Sequence, residues 1–209
     1  MPFILASGSP RRRELLASLG IEFTIIKPDI DETQHAGENP YDYVRRLSIE
    51  KANAVAARVS ESVQTDEPAF VLAADTVVIL AADTIGVLDT GLNEDGEILG
   101  KPADEADARQ MLERLRGRDH VVCTALTLLR LGNPRQQITE LTRTTVTMRD
   151  YTDAEITAYI ATGDPFDKAG GYAIQHEEFH PVEHIDGSYE NVVGLPTETL
   201  LEMLPQIGL

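Results

Sequence analysis

Three arginines follow a serine and a proline near the start of the chain, in the stretch LASGSPRRRELL. Ser9 and Pro10 are typical of the first positions of a helix, so Arg11, Arg12 and Arg13 fall in its first turn. Cations are mildly unfavourable at this positive end of the helix dipole. A bound anion would account for them, because free N–H groups and guanidinium groups converge on phosphate oxygens. A solvated helix rich in arginine is an equally good explanation.

A lysine falls on the apolar face of a second predicted helix. Val44, Leu47, Lys51 and Val55 are spaced by three and four residues, so they share one face of that helix. The lysine either extends its ammonium group to solvent along this face or points into a polar cleft. Taken alone, the spacing favours the first alternative.

The apolar run VLAADTVVILAADT contains Ala-Ala-Asp-Thr twice, with aspartates at Asp75 and Asp83. A carboxylate buried alone is costly, so it pairs with a cation, takes up a proton or binds a metal. The two aspartates are eight residues apart, and in one uninterrupted strand both would face the same side. Alternation therefore cannot choose between them, and an Asp-Thr pair can also simply mark a strand end.

Further polar residues follow predicted strands and turns. Glu32 lies in DIDE, Lys101 in GKP, and Lys168 in DKAGGYAIQ, whose paired glycines permit close backbone approach. Gln175 offers both a donor and an acceptor, which suits the edge of a nucleobase. Each is also explained by an ordinary surface charge or turn, and neither GxxxxGK(S/T) nor GxGxxG after a strand is present.

The charge balance limits the class of partner. The chain has 209 residues, with 18 Lys and Arg against 35 Asp and Glu, a net charge of −17. Such a surface repels polyanions, which argues against a nucleic-acid polymer or an anionic membrane but permits a small anion in a locally basic pocket. The single cysteine, Cys123, suits a reducing cytoplasm, and no apolar run approaches the roughly 20 residues of a membrane-spanning helix.

The elements that must position these residues alternate between strand and helix. Strands are predicted at 3–6, in IEFTIIKP and in the doubled AADT run, and a long hairpin turns at 132–135. Helices are predicted from Pro10, from Pro40 to near Val59, after Asp104, at 153–161 and from Thr197. This order predicts an α/β protein with a mixed central sheet flanked by helices.

Seven stretches, taken in order, resemble the Maf family of nucleoside triphosphate pyrophosphatases. They are LASGSPRRRELL, DIDE, YVRRLSIEKA, LAADTVV, EILGKP, DKAGGYAIQ and GSYENVVGLP, which together run through nearly the whole chain. The resemblance implies a single domain over residues 1–209, with two lobes and a nucleotide cleft, like inosine triphosphatase-type enzymes. It also implies hydrolysis of a nucleoside triphosphate to monophosphate and pyrophosphate with Mg²⁺ or Mn²⁺.

The same resemblance implies roles for individual residues. Asp75 matches the catalytic base and, with Glu32, would hold the metal; Asp83 would then belong to an inserted hairpin. Arg11, Thr76 and Gln175 match positions tied to substrate choice, in the manner of the branch acting on dTTP and UTP. The predicted site comprises Ser9, Arg11, Arg12, Glu32, Lys51, Asp75, Thr76, Lys101, Lys168 and Gln175.

Several alternatives remain open at this stage. A regulator of cell division that binds nucleotide with little catalysis, a phosphatase releasing orthophosphate stepwise, and a Maf-type enzyme with another nucleotide preference all fit the sequence. His176 stands where the family usually has glycine, a departure that leaves the width of the substrate pocket and the substrate range open. A homodimer is compatible with the sequence, which carries no signal of oligomeric state.

Overall fold

Strands and helices alternate along the chain as the sequence predicts. The computed structural model describes residues 2–64, 77–89 and 96–209. The strands are β1 (Phe3–Ala6), β2 (Thr24–Ile25), β3 (Val77–Leu88), β4 (Glu97–Leu99), β5 (Asp119–Leu131), β6 (Gln136–Met148) and β7 (Val182–Asp186). The helices are α1 (Pro10–Ser18), α2 (Pro40–Gln64), α3 (Glu105–Leu115), α4 (Asp153–Ala161), α5 (Tyr189–Val193) and α6 (Thr197–Met203).

The strands form one mixed sheet of seven strands in the order β2-β1-β3-β5-β6-β7, with β4 paired to β3. β1 runs parallel to β2 and β3, whereas the other pairs are antiparallel. The predicted α/β class with a mixed sheet flanked by helices is confirmed. Within the described residues, no helix is both long and apolar enough to cross a membrane.

Capping residues explain where several helices begin. Ser9 Oγ accepts a hydrogen bond from the backbone N–H of Arg12, and Pro10 occupies the first helical position, which has no need of an N–H. Asp104 caps α3 in the same way. At α4 the Thr152 side chain and Glu155 satisfy each other's backbone N–H groups, which forms a capping box.

The central strand β3 divides its side chains between two apolar clusters. Ile79 and Ala81 pack with Val55 of α2 on one face, whereas Val78 and Leu80 pack with residues of α1 and α6 on the other. Because successive side chains of a strand alternate between faces, Asp83 lies on the α2 face.

One edge of β3 pairs with two different strands, and a gap separates them. On this edge β1 pairs with residues 78–81 and β4 with residues 86–88. On the opposite edge β5 pairs with β3 from Val77 to Val87. Among the described strands, residues 82–85 therefore have a partner only in β5. The carboxyl end of β1 lies at this gap, and a crevice at such a point is where open α/β sheets bind ligands.

Candidate active site

A cleft of about 680 Å³ opens at this gap in the sheet. One wall is the loop from Ser7 to Pro10 that joins β1 to α1, and the other carries Gly100 and the loop 167–175. Asp83 and Thr84 of β3 and Lys51 of α2 also line the cleft. Eight of the ten predicted site residues line the cleft: Ser9, Arg11, Arg12, Glu32, Lys51, Lys101, Lys168 and Gln175. The other two, Asp75 and Thr76, lie outside the described residues.

The buried ammonium group of Lys51 joins two carboxylates. Its Nζ lies 2.5 Å from Asp83 Oδ1 and 3.0 Å from Glu32 Oε1. Val44, Leu47 and Lys51 share the buried face of α2, as their spacing predicts, and this face meets β3 beside the cleft. The Lys51 side chain therefore points into the polar cleft and does not extend to solvent along the apolar face of the helix.

The second Ala-Ala-Asp-Thr belongs to the central sheet, and the prediction that Asp83 lies in an inserted hairpin is wrong. Asp83 pairs with Ala125 of β5 in register, two residues beyond the point where Ala81 meets Ala6 at the end of β1. The reason is the register of β3 against β1. Pairing Phe3 with Val78 brings the second copy, rather than a turn, to the carboxyl end of β1.

Burial dominates the electrostatics of Asp83. It raises the pKa of the Asp83 carboxyl above its ordinary value, while Lys51 and Arg12 oppose this shift by stabilising the carboxylate. A carboxylate held ionised by neighbouring cations, yet more basic than an exposed aspartate, is suited to accept a proton from water.

The Arg12 side chain donates hydrogen bonds that connect α1 to β3 and to Gly194. Its Nε donates to the carbonyl oxygen of Gly194 at 2.8 Å, Nη1 to that of Ala82 at 2.8 Å, and Nη2 to Thr84 Oγ1 at 3.0 Å. Burial lowers the pKa of this guanidinium, and Asp83 opposes the shift. Most of the donors of Arg12 are thus committed to the protein, and its predicted contact with phosphate stays a prediction.

Lys168 is likewise engaged by protein acceptors. Its Nζ donates to Asp164 Oδ1 at 2.6 Å, to the Asp164 carbonyl at 2.7 Å and to Asp167 Oδ1 at 2.5 Å. Tyr159 donates to Asp164 Oδ2 and accepts from the Ala173 N–H. This network fixes the loop that carries Gln175 into the cleft.

His176 is not among the residues that line this cleft. It lines a smaller neighbouring pocket with Asp164 and Glu178. Its Nδ1 accepts from the Phe179 N–H at 3.0 Å, and its ring packs edge-on against Tyr159. The side chain that replaces glycine is therefore part of the loop's own packing.

Tyr172 and Lys27 also line the cleft, although the sequence motifs did not single out either residue. The hydroxyl of Tyr172 lies 2.8 Å from Nε2 of the buried His120. Burial lowers the pKa of His120 to about 4, so the ring is neutral at pH 7. Lys27 lies two residues after β2. Lysine is rare in this chain, which has four, and this rarity is the sequence feature that could have drawn attention to Lys27.

The carboxylates of Asp83 and Glu32 are the donors that fit a divalent cation. Mg²⁺ and Mn²⁺ prefer oxygen ligands and are commonly completed by water and substrate phosphates, so two carboxylates suffice. The described residues contain no cluster of three His, Cys, Asp or Glu side chains that could hold a metal unaided.

Comparison with known proteins agrees with the geometry. The profile of the Maf family, described as Maf-like protein, matches residues 2–207. A dTTP/UTP pyrophosphatase of Citrifermentans bemidjiense is 44% identical over 205 residues, covering 98% of this chain and 95% of that protein. One from Myxococcus xanthus is 45% identical over 206 residues, covering 99% and 92% respectively. A HAM1 protein from Coxiella burnetii, 15% identical with a TM-score of 0.51 and 99% coverage of both chains, shares the fold. The chain belongs to the Maf family.

Proposed function

We propose that this protein hydrolyses dTTP and UTP to the monophosphate and pyrophosphate. The observation that carries the proposal is the buried Asp83–Lys51 pair in a cleft lined by cations. A carboxylate beside a lysine, facing a cleft of this size, is suited to activate water next to a bound triphosphate. The names of the two relatives support the choice of dTTP and UTP.

In the proposed reaction Asp83, rather than Asp75, accepts the proton. The Asp83 carboxylate orients a water molecule and takes its proton as the oxygen attacks the α-phosphorus. The bond between that phosphorus and the oxygen bridging to the β-phosphate breaks, and pyrophosphate leaves with the bonding electrons. Lys51 holds Asp83 ionised before the attack, because its ammonium lies 2.5 Å from the carboxylate.

Cations that line the cleft would neutralise the triphosphate. Arg11 and Lys101 both line the cleft, and among the described residues Arg11 forms an ion pair only with Asp167 Oδ2, at 3.9 Å. Charge that develops on the transferred and leaving oxygens is stabilised by such preorganised cations. A divalent ion held by Asp83 and Glu32 would supply further neutralisation of the phosphates.

The first test is the product of the reaction. With Mg²⁺ or Mn²⁺, the purified protein is expected to convert UTP and dTTP to monophosphates with release of pyrophosphate, measured separately from orthophosphate. In water enriched in ¹⁸O, the label should enter UMP, because the attack is at the α-phosphorus. Orthophosphate as first product would indicate a stepwise phosphatase, and nucleotide binding without turnover would indicate a regulator. Either result contradicts the proposal.

Gln175 is proposed to read the pyrimidine base. An amide can donate to and accept from the edge of uracil or thymine, whereas a carboxylate only accepts. The Gln175→Glu variant should therefore lower kcat/KM for UTP by at least about tenfold, measured by steady-state kinetics.

The matched control is Gln137→Glu, the same substitution at an exposed position of β6 away from the cleft. This control should keep wild-type kinetics because it adds the same charge without touching the substrate. Equal kcat/KM values for Gln175→Glu and wild type on UTP would show that Gln175 does not read the base.

A further inference from the structure

The distribution of lysine over this chain is uneven. The chain contains four lysines and fourteen arginines. All four lysines, Lys27, Lys51, Lys101 and Lys168, line the cleft, whereas Arg11 and Arg12 are its only arginines. In a protein of net charge −17, this concentrates compact cations at one place on an otherwise acidic surface.

Lys27 differs from the two buried lysines in having no carboxylate partner. Lys51 is paired with Asp83 and Glu32, and Lys168 with Asp164 and Asp167. Lys27 is exposed at the cleft, and no carboxylate of the described residues forms an ion pair with it. Its charge is therefore available to a ligand.

The side chain of Lys27 lies against Gly8 in the loop that follows β1. Its methylene groups cross Gly8, where a Cβ would come within 3.1 Å of Lys27 Cε. The glycine thus leaves room for the stem of the lysine beside Ser7 and Ser9. Since β1 and β2 are parallel neighbours, the residues that follow them emerge at the same edge of the sheet.

The position of Lys27 relative to the proposed reaction centre indicates which part of the substrate it meets. Lys27 lies beside Gly8 of the β1–α1 loop, Gln175 belongs to the loop 167–175 and Asp83 to β3, and all three line the cleft. A nucleotide with its base at Gln175 and its α-phosphate at Asp83 directs its terminal phosphates toward the β1–α1 loop.

We propose that Lys27 binds the β- and γ-phosphates of the substrate, which become the pyrophosphate product; this inference rests on the proposed function. The ammonium group provides three donors and a full charge to oxygens that gain negative charge as the bond breaks. The long stem keeps the charge in water when the cleft is empty and lets it follow the leaving group.

The test compares the two products as separate ligands of the full-length protein in the presence of Mg²⁺. Isothermal titration calorimetry would measure Kd for inorganic pyrophosphate and for UMP with wild type, Lys27→Gln and Lys27→Arg. Loss of a charge-assisted contact should raise Kd for pyrophosphate about tenfold in Lys27→Gln. UMP affinity should stay unchanged, and Lys27→Arg should retain most of the pyrophosphate affinity. Steady-state kinetics should show a lower kcat/KM for UTP in Lys27→Gln, with part of the loss in kcat because the charge on these oxygens grows as the bond breaks.

Arg109→Gln is the matched control, because it removes one positive charge from a half-buried position of α3 outside the cleft. Pyrophosphate affinity should be that of wild type in this variant. Unaltered pyrophosphate binding in Lys27→Gln, equal weakening of UMP binding, or no pyrophosphate binding by wild type would each overturn the inference. Calorimetry needs no turnover, so a protein that binds pyrophosphate through Lys27 but fails to hydrolyse UTP would refute the proposed function alone.

Discussion

Replacing Asp83 with asparagine should lower kcat for UTP by about 100-fold or more, the usual range for loss of a general base. Asparagine keeps the shape of the side chain but has little capacity to take up a proton from water. The lysines and arginines of the cleft remain, so the loss should fall mainly on kcat. Steady-state kinetics measures both constants, and circular dichroism with thermal melting checks that the variant is folded.

The matched control is Asp75→Asn, which makes the same substitution in the first Ala-Ala-Asp-Thr. This variant should stay within a few-fold of wild type, because Asp83 already supplies the carboxylate that contacts Lys51. The opposite ranking of the two variants would return the catalytic role to Asp75.

Lys51→Met is expected to have the second large effect, about a 100-fold loss in kcat/KM for UTP, comparable to losing one preorganised donor. Burial raises the pKa of Asp83, and Lys51 is the strongest influence that lowers it. Without the ammonium group the folded-state pKa of Asp83 rises further, so a smaller fraction of the base is ionised at neutral pH. The acidic limb of the pH–rate profile should therefore move to higher pH, and added alkali should recover part of the activity.

Arg45→Met provides the comparison, since it removes a cation from the exposed side of the same helix. Its pH–rate profile should coincide with that of wild type. Thermal melting of both variants is needed, because a buried carboxylate that loses its partner also destabilises the fold. An acidic limb in Lys51→Met that stays in place or moves to lower pH would show that Asp83 is not the titrating base.

Features set by neighbouring residues could be predicted from the sequence. Ser9, Asp104 and Thr152 cap helices because their side chains meet N–H groups within the next three residues. The spacing of Leu47 and Lys51 likewise placed that lysine on the buried face of α2. These predictions depend on local geometry, which is determined by the residue types of a short segment.

The choice between the two aspartates could not be predicted in this way. AADTVVIL is followed directly by AADTIGVL, and a repeat of eight residues preserves which side chains face each side of a strand. Eight residues of strand span about 26 Å, so only one copy can meet the end of β1. Which copy does so depends on pairing with Phe3–Ala6, about 75 positions earlier in the chain.

Contacts between distant segments account for the other differences. Arg12 reaches Ala82 and Gly194, which are 70 and 182 residues away. Nothing in the spacing of SPRRR distinguishes Arg12, whose guanidinium is bound by protein acceptors, from Arg11 and Arg13. The ring of His176 packs against Tyr159 and accepts a hydrogen bond from the Phe179 N–H, an arrangement that exists only once the loop is folded.

The confinement of all four lysines to one cleft has a consequence for the chemistry of labelling this protein. Apart from the α-amino group, a reagent that acylates amines meets primary amines only at the site where we propose the substrate binds. The exposed Lys27 and Lys101 would react before the buried Lys51 and Lys168. Coupling a dye, a cross-linker or a solid support to lysine therefore modifies the cleft. A label that leaves the cleft unmodified has to be attached to other side chains.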